Sequence, residues 1–384
     1  MKKILLMMPT LTQGGFERVC LLTARMLNEE YDVTVLVFTM NAQFYNVSDL
    51  NVINIDVPAL PGKLNKIVNV LRRVKKLRKI RKENKYDIVY SFGTSANLIN
   101  VLSKTYGKTW MGVRVYEAID NKMEMLLKTR LADKVICCSK VIEEGILNNF
   151  KVKDITTVYN PCDIDRIEYL VQQENALEYE ELLKSSTPIV MSMGRADDQK
   201  GFWHLVKAFS LVKKEIQDVK LMIMGAGDFG EYEILASEMG IAEDVIFLTA
   251  QENPFQYLKY ASLYMLTSRS EGFPNALIEA MAVGIPVMAV NCKSGPAEIL
   301  GKKYEEVLDD TKLYYAEYGV ILPMVKPIKN LDSNVIETEE RIMAEEMVKI
   351  LRNSELLNDY AIKAKERASE FGTERYIQRI KDML

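Results

Sequence analysis

Between residues 261 and 290 the chain reads as a strand, a loop, a helix and a strand, and that order constrains everything around it. The apolar run ASLYMLT (261–267) has the length of a buried strand, and IPVMAV (285–290) has the same character. Between them NALIEAMAV (275–283) reads as a helix. Pro274 suits its start, Gly284 its C-cap, and Pro286 stands just beyond. Glu271 then falls in the loop at the carboxyl end of the first strand, and Glu279 lies about one turn into the helix.

Glu279 is the anomaly in this stretch. Its neighbours Ala276, Leu277, Ile278, Ala280, Met281, Ala282 and Val283 are all apolar, so the helix is buried. A carboxylate there costs several kcal/mol unless it has a partner. Taken alone, Glu279 reads most simply as an internal cap or ion pair. The helix start beside it, however, offers backbone N–H groups at Asn275, Ala276 and Leu277, which favour a phosphate. The strand-end loop, the helix start and the second carboxylate together read as a ligand site, with ligand hydroxyls as the partner of Glu279.

Glu271 and Glu279, with seven residues between them inside SRSEGFPNALIEAMAVGIPVMA, carry a resemblance. The stretch is similar to the signature of the retaining glycosyltransferases of family 4, which have the GT-B fold: α/β, with two doubly wound Rossmann-like domains facing across a cleft. The resemblance implies a nucleotide-sugar donor site at Glu271, Gly272, Phe273, Pro274, Asn275, Ala276, Leu277 and Glu279. Glu271 would contact sugar hydroxyls near the reacting carbon, and Glu279 the ribose hydroxyls.

The 384 residues suffice for two to three ordinary domains. A net charge of −3 gives no hint of a polyanionic partner for the molecule as a whole. The opening KKILLMM is halted at once by Pro9, too short for a signal peptide or a span, and reads as a first strand. The five cysteines show no metal spacing and fit reduced, buried thiols of a cytoplasmic protein. With His204 the only histidine, a histidine-rich metal site is excluded, and His204 itself reads as structural.

The first half alternates strands and helices, implying a parallel sheet with helices on both faces. ILLMMP, TLTQGG, FERVCLLTARMLNE and DVTVLVF read as strand, loop, helix and strand. Gly14 and Gly15 sit where backbone can approach a phosphate, although the loop is not a dinucleotide fingerprint and a tight turn explains it as well. In the family a double glycine here packs near the donor diphosphate. Arg114 and Glu117 lie on a later strand-end loop and are candidates for acceptor-side contacts, against the alternative of surface ion pairs. Many relatives carry histidine or arginine directly after the equivalent glutamate, where this chain has Ala118.

Residues 63–85 form the strongest charge feature: eleven Lys or Arg against one Glu, a local net charge of +10. Leu64, Ile67, Val68, Leu71, Val74, Leu77 and Ile80 follow roughly helical spacing. A basic amphipathic helix of this kind suits an anionic membrane surface; a packed helix with a solvated basic face is the alternative. No aromatic residue interleaves the charges, which argues against nucleic acid.

A second series opens at Pro188. IVMSMG is its first strand and Gly194–Gly201 its loop, in which Arg195 and Lys200 suit a diphosphate. The resemblance assigns both cations to the donor diphosphate, together with Gly194 and the close-approach glycine Gly225, and assigns the nucleobase to the loop 249–253 with Ala250 and Gln251. The expected organisation is 1–165 as the acceptor-side domain, 166–187 as a linker and 188–371 as the donor domain, with 372–384 packing back on the first domain.

The reading is a hexosyl or N-acetylhexosaminyl transferase acting on a glycan or lipid-linked acceptor in cell-surface polysaccharide synthesis. It is expected to be metal-independent, since the one Asp-x-Asp, Asp163–Asp165, lies at the domain junction. UDP is the preferred carrier, and the inner membrane face the expected location. A GT-B-type sugar-nucleotide epimerase or hydrolase, and a non-catalytic nucleotide-binding membrane protein, remain as alternatives.

Overall fold

A computed structural model describes the whole chain except Gln13, Ala42, Glu174 and Asn175 and the side chain of Lys63. Gln13 of the first glycine loop, Glu174 and Asn175 of the expected linker and the Lys63 side chain of the basic helix therefore lie outside the described residues. The chain divides into two compact units, 1–161 with 374–384, and 162–373.

The first unit runs β1 (Lys3–Met8), α1 (Gly15–Leu27), β2 (Asp32–Val37), β3 (Asn51–Asn54), α2 (Lys63–Asn84), β4 (Ile88–Phe92), α3 (Thr94–Leu102), β5 (Lys108–Val113), α4 (Lys122–Leu131), β6 (Lys134–Cys137), α5 (Lys140–Asn149) and β7 (Ile155–Thr157). Its seven strands pair in parallel in the order β3-β2-β1-β4-β5-β6-β7. Central strands such as β1 (KILLMM) and β4 (IVYSF) are apolar almost throughout, as strands covered on both faces must be.

The second unit runs α6 (Ile164–Gln172), α7 (Glu180–Leu183), β8 (Ile189–Met193), α8 (Phe202–Glu215), β9 (Lys220–Gly225), α9 (Gly230–Glu238), β10 (Val245–Thr249), α10 (Phe255–Leu258), β11 (Leu263–Leu266), α11 (Asn275–Val283), β12 (Val287–Val290), α12 (Pro296–Leu300), β13 (Tyr314–Ala316), β14 (Gly319–Leu322), α13 (Thr338–Leu351) and α14 (Ser354–Ser369). The order is β10-β9-β8-β11-β12-β14-β13, parallel except for the β13–β14 hairpin. A final helix, α15 (Thr373–Lys381), buries Tyr376, Ile377 and Ile380 in the core of the first unit, where the Tyr376 hydroxyl lies 2.7 Å from Thr23 Oγ1.

Within the stretch expected as a linker, 166–187, lie most of α6 and all of α7. α6 starts at Asp163, whose carboxylate accepts from the Arg166 amide, so Asp163 serves as a cap. Ile167 is buried, and carbonyls of α6 accept from Asn253 Nδ2 and Lys259 Nζ, which ties the helix to the second unit. His204 is structural: its Nδ1 lies 2.7 Å from a Glu340 carboxylate oxygen, inside the packing of α8 on α13. All five cysteines are buried.

Candidate donor site and first-unit loops

The second sheet reverses its winding between β8 and β11, so the loops leaving the carboxyl ends of those strands lie side by side. These loops hold 194–201 and 267–274. Short polar contacts lace them together. The Thr267 hydroxyl donates to Lys200 O at 2.9 Å, the Arg269 amide to Gln199 O at 2.8 Å, and Gln199 Nε2 to Ser270 O at 2.7 Å. Gly201 permits this approach: its φ is +63°, and a Cβ there would stand 2.5 Å from Thr267 O.

The result is a direct contact between two residues expected in the site. Lys200 Nζ lies 2.6 Å from Glu271 Oε1, with the two side chains 18% and 10% exposed. The stem of Lys200 runs over Gly194, where a Cβ would meet its Cδ at 3.0 Å. Behind it, a Cβ on Gly225 would stand 1.6 Å from Gly194 O, so the two strand-end loops approach at a distance only glycine allows. Arg195 is exposed and reaches Asp197 Oδ2 at 3.1 Å. Asp198 meets Lys329 Nζ at 2.9 Å.

α11 matches the expected helix residue for residue. It ends in a Schellman motif: Gly284 is left-handed, its amide donates to Met281 O, and the Ile285 amide donates to Ala280 O. No side chain caps its start. One expectation needs correcting. The Leu277 amide donates to Pro274 O at 3.2 Å, so the turn into the helix takes up one of the three N–H groups assigned to a phosphate. The turn is itself clamped. The Ser294 hydroxyl donates to Gly272 O at 2.6 Å, Gly295 packs where a Cβ would be 2.4 Å from Pro274 Cδ, and Phe273 meets Phe371 edge-on at 5.3 Å. Glu279 is buried on α11, 8% exposed. Below the loops, burial pushes the Tyr264 hydroxyl up, with the Glu271 charge adding to it; it stays protonated and donates to Met193 O at 3.5 Å.

Ala250 and Gln251 are half-buried on the loop after β10, where Gln251 Nε2 donates to Thr249 O. Sequence reasoning missed Gln199, Arg269, Ser294 and Lys329. SGP at 294–296 carried a usable signal, a glycine before a helix-starting proline; the other three act through contacts at long sequence separation.

In the first unit, Gly14 is the N-cap of α1 and exchanges hydrogen bonds with the Tyr45 hydroxyl, and Gly15 opens the helix. Arg114 differs from expectation. It is not on the surface of its loop but 7% exposed, donating to Asn160 Oδ1 at 2.6 Å and to the Tyr90 hydroxyl at 2.7 Å, with its guanidinium over the Phe92 ring. Burial pushes the Tyr90 hydroxyl up, which keeps it protonated beside the guanidinium. Arg114 thus braces β4, β5 and the segment after β7. Glu117 is exposed on the 3-10 turn Tyr116–Ile119.

Two family patterns match the chain: "Glycosyl transferases group 1" over 174–313 and "Glycosyltransferase Family 4" over 13–166. An uncharacterized glycosyltransferase of Methanocaldococcus jannaschii is 29% identical over 65% of this chain and 62% of its own length. A Campylobacter jejuni relative is 27% identical over 67% of this chain and 61% of its own. It is named as an N-acetylgalactosamine-N,N'-diacetylbacillosaminyl-diphospho-undecaprenol 4-alpha-N-acetylgalactosaminyltransferase. The chain thus spans about three fifths of the length of both relatives. In fold it is similar to Anabaena HepE, solved in complex with UDP and glucose, with a TM-score of 0.74 at 17% identity over 100% of this chain and 99% of that one.

Proposed function

Because the chain belongs to the group 1 and family 4 glycosyltransferases of GT-B fold, we propose that it transfers a hexosyl or N-acetylhexosaminyl group from a nucleotide sugar, UDP preferred, to a glycan or lipid-linked acceptor with retention of anomeric configuration. The observation that carries the donor side is the Lys200–Glu271 contact at the switch point of the second sheet, beside the start of α11. The lipid-linked acceptor is supported by the name of the Campylobacter relative, a transferase acting on a diphospho-undecaprenol-linked sugar.

Transfer breaks the bond between the anomeric carbon and the diphosphate oxygen and forms one from that carbon to an acceptor oxygen. Negative charge grows on the leaving diphosphate. Lys200, Arg195 and the amides at the start of α11 are the groups of this chain that meet that charge, and no metal is needed in this reading. Glu271, released from Lys200 as the diphosphate takes the ammonium, turns to the sugar hydroxyls. Glu279 accepts from the ribose hydroxyls in this reading. The acceptor proton leaves with help from the departing phosphate.

Among the described residues no helix is long and apolar enough to cross a membrane. A lipid-linked acceptor in cell-surface polysaccharide synthesis would place the enzyme against the inner face of a membrane as a peripheral protein.

The test is thermal unfolding with UDP, GDP and ADP, followed by product analysis with a panel of the matching nucleotide sugars. A nucleotide at a hundred times its dissociation constant stabilises by about 2.7 kcal/mol. A shift with one nucleotide, and sugar transfer only when a lipid-linked or glycan acceptor is present, is the expected result. Nucleotide release at the same rate without any acceptor, or a free epimerised sugar, would overturn the transferase reading.

A further inference from the structure

The apolar residues of the basic helix α2 do not form one stripe, and Val70 packs with its inner side. Val74 and Leu77 are buried in the first unit with Val57, Tyr86 and Val89, and Ile80 packs against that cluster. Arg81 is buried with them, donating to Asn100 and Thr109 side chains and to Tyr106 O. The earlier residues face outward: Leu64 is 81%, Ile67 59%, Val68 41% and Leu71 63% exposed. At about 100° per residue these four fall within an arc of about 100°, turned roughly a quarter turn away from the side that packs on the sheet. The exposed Lys75 and Lys82 continue the same outward line at intervals of seven from Val68, and Arg72 and Lys79 flank it. The outward face of one helix is therefore apolar over its first two turns and cationic over the next three.

We infer that this outward face is a bilayer-docking surface: Leu64, Ile67, Val68 and Leu71 sink to the boundary of headgroups and acyl chains, and Arg72, Lys75, Lys79 and Lys82 meet the phosphates of anionic lipids. Leu60, exposed just ahead of the helix, extends the apolar part. The chemistry selects the occupant. Large apolar side chains on a free helix end, followed on the same line by cations, fit an interface that is apolar below and anionic above. A second copy of this chain would bring the same cations into its own contact, where like charges repel. Arg72, Lys75 and Lys79 also line a groove of 590 Å³ with Asn69 and the segment 56–60, room enough for a phosphate headgroup at the foot of the apolar end.

The surface serves the lipid-linked acceptor reading above and rests on that reading for its purpose, but its test is separate. Full-length protein is sedimented with phosphatidylcholine vesicles and with vesicles containing phosphatidylglycerol, at low and high salt. Wild type is expected to bind the anionic vesicles and to lose binding as salt rises. Leu64→Ser with Ile67→Ser and Leu71→Ser should weaken that binding at least about tenfold at either salt. Lys75→Gln with Lys79→Gln and Lys82→Gln should remove the preference for anionic over neutral vesicles. All six positions are solvent-exposed, so the unfolding midpoint and its shift with UDP should stay at wild-type values. That shift reports on the transferase reading independently. Unchanged vesicle binding in the serine variant would overturn the inference, as would a lipid-free wild-type dimer that the same variant abolishes.

Discussion

Lys200 Nζ lies 2.6 Å from Glu271 Oε1 although 71 positions separate them, and each charge is more than four-fifths withdrawn from solvent. The pair costs least when both members are present, since losing one strands the other. Lys200→Met and Glu271→Gln should each lower transferase turnover by about a hundredfold or more. Each should also lower stability by about 1–3 kcal/mol, with the double variant losing less than the sum. A double-mutant cycle on thermal unfolding and on initial rates checks this; strictly additive effects would mean that the contact is incidental.

Glu279 is buried and is the one charged residue of α11. Glu279→Ala should leave the fold intact and weaken UDP binding by about ten- to a hundredfold, the worth of one or two hydrogen bonds to a charged group. Titration calorimetry measures it, and an unchanged dissociation constant removes Glu279 from the ribose site.

Gly225→Ala tests the close approach of the two strand-end loops. Its Cβ would stand 1.6 Å from Gly194 O, so backbone must shift. The expected outcome is a folded protein whose affinity for UDP falls more than its stability, because Gly194 lies under the Lys200 stem.

Arg114→Met should act in the opposite sense, on stability first. It would remove the donor that Tyr90 and Asn160 now share, at a cost of about 1–3 kcal/mol. Chemical denaturation of wild type and variant gives the number. A stable Arg114→Met protein that is defective only with acceptor would return this arginine to the acceptor side.

Acid dependence should locate in part at the start of α13. There Glu337 caps the helix, and the Lys326 ammonium holds its carboxyl below the usual range. A depressed carboxyl stabilises above its unfolded value, near pH 4.3, and that contribution disappears as pH falls through the lower folded value. Glu337→Gln should therefore destabilise the protein at pH 7 and lose the difference from wild type in acid, as read from unfolding midpoints across that range.

Local pattern determined a good deal of this protein. The β11–α11–β12 unit, the alternation of strands and helices in both halves, the C-cap at Gly284 and the residue types of the donor loops all follow from signals carried within a few positions: apolar runs, glycine, proline and helical period. Tertiary structure decided what those signals leave open. The helical spacing in α2 leaves Leu64 in solvent and puts Leu77 in the core, because the two lie on different sides of the helix and only one side, with Val70, Val74 and Leu77, meets the sheet. The same residue type is a surface cation at Arg195 and an internal brace at Arg114, because one follows an open strand-end loop and the other points into a network of Tyr90 and Asn160. Lys200 finds Glu271 only because the sheet reverses its winding between β8 and β11, and no local periodicity records a neighbour that far along the chain.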